Sequence, residues 1–161
     1  MEKADRRVEW LKEHLAYEIR MLRFSFEKLC FAEKGKLDWN AFYEVYVVHS
    51  RNLYDFLTSE GGQRNYNARD YVPKFKSKKT SRTIEAFRQL HAQVLHLGKR
   101  RPAAAPGKFN FNDCKANYIW IEDQFGLFIG QLGNPFASAW AESLAATRPP
   151  YRMTSWLSTN H

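Results

Sequence analysis

The chain has 161 residues, enough for one domain with one hydrophobic core and short for two. Hydrophobic residues at 44% and charged residues at 26% describe a globular chain and exclude a disordered or fibrous one. Eight glycines and six prolines are too few for the turns of an all-β sandwich or barrel, and the net charge of +8 calls for an anionic partner without naming it.

The first residues, Met1 to Arg7, are charged and run directly into a helical pattern, so no secretory signal is expected. Apolar runs are all broken by charges before the ~18 residues a membrane span requires. Cys30 and Cys114 are the only cysteines. Both fall on predicted buried faces, which suits small core side chains in a reducing cytoplasm better than a disulfide.

A first helix is expected from Lys3 to Ala32. Val8, Leu11, Leu15, Ile19, Leu22, Phe26 and Leu29 recur there at steps of three and four. Gly35 stops it and Asp38 is placed to cap a second helix, Trp39 to Ser59. That helix carries Phe42, Val45, His49, Asn52 and Phe56 along one seam, with Tyr46 and Leu53 beside them. Residues 61–80 read as a polar loop. A third helix begins with Thr80 or Ser81 as N-cap and Glu85 in a loose capping box, then turns Ile84, Phe87, Leu90, His91, Val94 and Leu97 inward until Gly98. Residues 99–108 form a linker. A fourth helix spans Asn112 to Leu132, and a short fifth runs from Phe136 to Ala146. The expected fold is all-α: an up-and-down four-helix bundle with a short fifth C-terminal helix, one domain over 1–146 and an irregular tail over 147–161.

The charge is concentrated. Residues 1–63 sum to −1 and 109–161 to −1, whereas 64–108 hold 12 basic and 2 acidic residues, a net of +10. Arg64, Arg69, Lys74, Lys76, Lys78, Lys79 and Arg82 precede or open the third helix, and Lys99, Arg100 and Arg101 follow it. Tyr66, Tyr71 and Phe75 are interleaved with the first group. Cations neutralise phosphates and aromatic rings stack on unpaired bases, so this pattern predicts a single-stranded RNA surface. A solvated loop, or docking to an acidic protein, gives the same charge pattern.

His49 and Asn52 are polar groups in an apolar seam, and a buried polar group needs a partner or costs about 1–3 kcal/mol. Glu18, His91, His96 and Glu122 are the available partners, while Arg51 and Asp55 are spaced to pair along their own helix. The cluster reads either as a site centred on His49, Arg51 and Asn52 or as a satisfied network that sets helix register. No Glu-x-x-His pair is present, and His91 and His96 fall roughly 140° apart around a helix, so neither a metal nor another cofactor is expected. No Gly-x-Ser-x-Gly nucleophile elbow or glycine-rich phosphate loop occurs.

The run His49-Ser50-Arg51-Asn52-Leu53-Tyr54-Asp55-Phe56, followed by the helix Leu90-His91-Ala92-Gln93-Val94-Leu95-His96-Leu97, resembles small bacterial helical proteins of the HEPN superfamily. The resemblance implies a helical bundle and a metal-independent RNase in toxin–antitoxin or phage-defence systems. The superfamily motif is an arginine, a polar residue and then a histidine within two helical turns. Arg51-Asn52 matches its start, whereas the positions for the histidine hold Phe56, Leu57 and Thr58. The catalytic candidates are therefore Arg51 and His49, with Asn52 orienting and His96 reaching in from another helix. The alternative is a protein-interaction module, a homodimer or a hetero-complex subunit, using Phe136, Trp140, Tyr151 and Trp156.

Overall fold

The computed structural model describes residues 3–60, 65–94 and 110–146. Over these residues the chain is all-α, as the periodicity predicts. The elements are α1 (Lys3–Trp10), a π-helical turn (Leu11–Leu15), α2 (Ala16–Phe31), α3 (Leu37–Thr58), α4 (Ala68–Tyr71), α5 (Ser81–Val94), α6 (Phe111–Ile129) and α7 (Phe136–Ala146). The residues expected as linker and tail, 99–108 and 147–161, lie outside the described set. Among the described residues no helix is long and apolar enough to cross a membrane.

The first predicted helix is continuous in path, with Trp10 and Ala16 both helical, but its hydrogen bonding widens to a π turn in between. Leu11 and Leu15, at the two ends of this turn, are both fully buried. Ala32 leaves the helix in extended conformation, and Gly35 turns the chain with φ +89°. An L side chain is strained there, which is why glycine serves. The cap of α3 is Lys36, without a side-chain hydrogen bond, and Asp38 sits in the first turn rather than at the cap expected for it. Its charge still complements the helix N-terminus from that position.

Ring contacts set the helix directions. Trp10, Glu18 and Phe24 meet Phe56, His49 and Phe42, so α3 runs antiparallel to α1 and α2. Tyr46, Tyr54 and Phe56 meet Cys114, Trp120 and Phe128, so α6 runs parallel to α3. Helix α5 lies against both α3 and α6 through Phe87, whose ring centroid is 4.0 Å from that of Tyr54 and 5.6 Å from that of Trp120. Helix α7 closes the other end. Trp140 lies 5.4 Å from Phe125, and Arg7 stacks over the Phe136 ring at 5.1 Å.

Three expectations about burial are corrected. Ile84 is exposed, because Phe87 and Leu90 fill the inward face of α5. Cys30 is exposed on the flank of α2, while Cys114 is buried and both are free thiols. Phe136 and Trp140, expected in an interface, are buried in the core of this chain. Tyr151 and Trp156 lie outside the described residues.

The largest departure is in the segment expected as a polar loop. Asn67 and Asp70 form a reciprocal capping box that starts α4. Tyr71, Val72 and Phe75 then enter the core, where Phe128 meets the rings of Tyr71 at 6.2 Å and Phe75 at 5.6 Å. Burying side chains of this size stabilises the fold by about 1.5–3 kcal/mol each, enough to order a connector that composition alone marks as loop. Phe128→Ala should cost about 3–5 kcal/mol, read from urea unfolding, because it empties the space where α3, α6 and this connector meet.

Candidate functional site

Two groupings of the predicted residues take shape. The first is the lysine-rich connector between α4 and α5. Its lower end is fastened by Arg69, which donates from Nε to the carbonyl of Phe75 at 3.3 Å and pairs with Glu60 at 3.6 Å. Arg69 is thus occupied in holding the connector. A turn closed by the Phe75 N–H on the Val72 carbonyl at 2.8 Å buries Phe75 and leaves Lys74 and Lys76 on either side exposed. Further on, both polar backbone atoms of Lys78 are held by side chains of α6. Its N–H donates to Gln124 Oε1 at 2.7 Å, and its carbonyl accepts from the Trp120 indole N–H at 2.8 Å.

Beyond that turn the connector runs on to α5 as a non-helical strap clamped to α6. Lys74, Lys76, Lys78 and Lys79 are exposed along it. Lys79 Nζ donates to the carbonyl of Thr58 at 3.0 Å, bridging back to the end of α3. Thr80 caps α5 by accepting from the Thr83 N–H at 3.1 Å. Glu85 takes no part in a capping box: Arg88 and Gln89 bond its carboxylate and hold its pKa down to about 2. Arg82 lies in the first turn of α5 with its side chain outside the described ones, and Arg64, Lys99, Arg100 and Arg101 lie outside the described residues.

The aromatic rings beside the strap are not the expected ones. Tyr71 and Phe75 are core residues, and Tyr66 packs edge-on against Trp10 at 5.5 Å. Their hydrophobic area goes to the interior, which leaves them unsuited to stack on bases. Trp120 takes that place, half-buried beside Lys78, with Tyr54 5.4 Å away. Sequence reasoning missed Trp120 and Gln124. The available signal was a glutamine at a buried position between Ile121, Phe125 and Phe128.

The second grouping is the polar seam of α3. Glu18 accepts a 2.7 Å hydrogen bond from His49 Nδ1, and Asn52 Nδ2 lies 3.2 Å from each Glu18 oxygen. The edge of Tyr17 covers the imidazole at 5.5 Å. His49 is only 7% exposed, whereas Asn52, expected in the core, is exposed and reaches Glu18 from the rim. Glu122 is not part of this network. It forms a bidentate pair with Arg23 at 2.7 and 2.8 Å, whose hydrogen bonds push the Arg23 pKa up.

Arg51 does not join His49. Two residues apart on a helix, they are separated by roughly 200° around the axis. Arg51 pairs instead with Asp55 at 3.6 Å, as its spacing predicts. His96 lies outside the described residues, as does the side chain of His91. Chemically, a carboxylate on Nδ1–H fixes the imidazole tautomer and leaves Nε2 as the proton acceptor. Among the described residues no group of three or more His, Cys, Asp or Glu side chains is arranged to hold a metal ion.

No family model, curated protein or solved structure matches this chain.

Glu18→Ala and His49→Ala should each lower stability by about 1–3 kcal/mol, because each strands a partner in a poorly solvated place. Urea unfolding of both single variants and the double variant checks this. The expected result is a double variant much less destabilised than the sum, and simple additivity would show that the two groups do not interact.

Proposed function

We propose that this protein binds RNA at a single-stranded stretch, laying the phosphate backbone along the Lys74–Lys79 strap and a base against Trp120. The observation that carries the reading is the double clamp on Lys78, whose N–H and carbonyl are both held by side chains of α6. A free lysine loop would lose conformational entropy on binding. A strap already fixed to α6 at Lys78 loses less, so its charges act together. Among the described residues, no carboxylate pairs with Lys74, Lys76 or Lys78. That leaves them available for phosphates.

Titration of labelled tRNA against the protein at low and physiological salt tests this reading. The logarithm of the affinity should fall linearly with the logarithm of salt concentration. Replacing Lys74, Lys76 and Lys78 together by alanine should reduce the slope by about 2, given about 0.7 per phosphate contact on a single strand. Trp120→Phe, which lacks the indole N–H, should weaken binding without changing the slope. Absence of binding at low salt would overturn the reading and leave the strap a solvated or protein-docking surface.

A second reading, the HEPN-like ribonuclease with a place in bacterial defence or toxin–antitoxin biology, draws support from one contact: the His49 imidazole is oriented by Glu18. In that reading His49 accepts the proton of the 2′-hydroxyl as that oxygen attacks phosphorus, and the 5′-oxygen leaves with a proton from water. Arg51, roughly 200° around α3 and beside Asp55, grips the RNA backbone away from that step. Cleavage of RNA by the purified protein should then be lost in Arg51→Ala with the melting temperature unchanged. Retained cleavage in that variant removes Arg51 from the mechanism.

A further inference from the structure

The outer surface of α2 carries aromatic residues where a soluble helix normally presents polar ones. Tyr17, Phe24 and Phe31 are 49%, 45% and 69% exposed. They are spaced seven apart, so they drift only about 20° from one to the next and form a single stripe on the face opposite Leu15, Ile19, Leu22 and Phe26. The α3 side extends it with Val48 and, at the first residue of that helix, Leu37 at 81% exposure. Five of the exposed large hydrophobic side chains thus lie on one edge of the molecule. A contiguous apolar patch of this kind marks an association site.

From this arrangement we infer that the α2–α3 edge is the contact between two copies of this chain, paired antiparallel about a two-fold axis near Phe24. Three observations select a second copy. First, the stripe is self-complementary: with Phe24 facing Phe24 of the other copy, Tyr17 comes level with Phe31 at each end. Second, the flanking charges match under the same operation. Arg20 and Glu27, themselves seven apart, share one flank of the stripe, and antiparallel pairing brings each Arg20 to the turn holding Glu27 of the other copy. Third, the segment that carries both helices of this edge is close to neutral. Residues 1–63 sum to −1, whereas the +10 segment places its described lysines on the α5–α6 side, away from the stripe. Two chains of +8 can therefore meet here with their straps turned outward. The contact is independent of what the strap binds.

Light scattering and sedimentation of the full chain over a concentration series test the inference. The expected result is twice the chain mass, falling to the chain mass on dilution. Phe24→Glu combined with Phe31→Glu should raise the dissociation constant at least tenfold, with the helical circular dichroism and melting temperature retained. Ile84→Glu, an exposed apolar position on α5, should leave the dimer intact. If the double variant fails to fold, the charge pair decides: Arg20→Glu should weaken the dimer, and Arg20→Glu with Glu27→Arg should restore it. The chain mass at every concentration overturns the inference, as does a dimer that survives the Phe24 and Phe31 changes or ignores the charge swap.

Discussion

The burial of Phe128 is the contact on which the arrangement of this molecule depends. Its ring meets Phe56 of α3 at 5.2 Å, Phe125 of its own helix at 6.1 Å and the connector rings Tyr71 and Phe75. Three segments far apart in sequence are thereby joined by edge-on ring contacts in a space closed to water. Because Phe75 is drawn in, its neighbours Lys74 and Lys76 must point out, and the chain beyond passes close enough to α6 for Gln124 and Trp120 to hold Lys78. The display of charge is thus a consequence of packing. Weakening the aromatic contact would release the strap before it touched any lysine.

The same economy governs the polar groups. Glu18 serves His49 and Asn52 together, so one carboxylate on α2 satisfies two side chains of α3 and fixes the register between the helices. Arg23 and Glu122 tie α2 to α6 at another level. These pairs are specific because each is short and partly shielded from water, in contrast to the exposed Arg88–Glu85 and Arg51–Asp55 pairs along single helices. The Glu18 network lies beside Tyr17, at one end of the aromatic stripe. The exposed aromatic rings thus lie on α2, apart from the strap lysines held beside α6.

The places where sequence and structure part share a cause. A helical wheel reports which face of a segment is apolar, but how deep each residue sits depends on the neighbours that arrive. Ile84 shares a pattern with Phe87 and Leu90 and still stays outside, since the two larger contacts complete the interface. Asn52 belongs to the seam by spacing, yet the seam ends in solvent at Glu18. The connector misled in the other direction. Lysines dominate its composition, while Tyr71 at its start and Phe75 within it do the folding.

Local sequence by itself determined the all-α class and the approximate course of the long helices, because period and capping residues act within a few turns. It also exposed the polar anomaly at His49, including Glu18 as an available partner, and the concentration of positive charge. Tertiary structure alone decided which aromatic rings are spent on the core and which stand beside the lysines. It also placed Arg51 and His49 on different faces of α3 and gave the lysine strap its fixed path. These are contests between residues distant along the chain for the same enclosed volume, and the winner is set by packing that no single segment encodes.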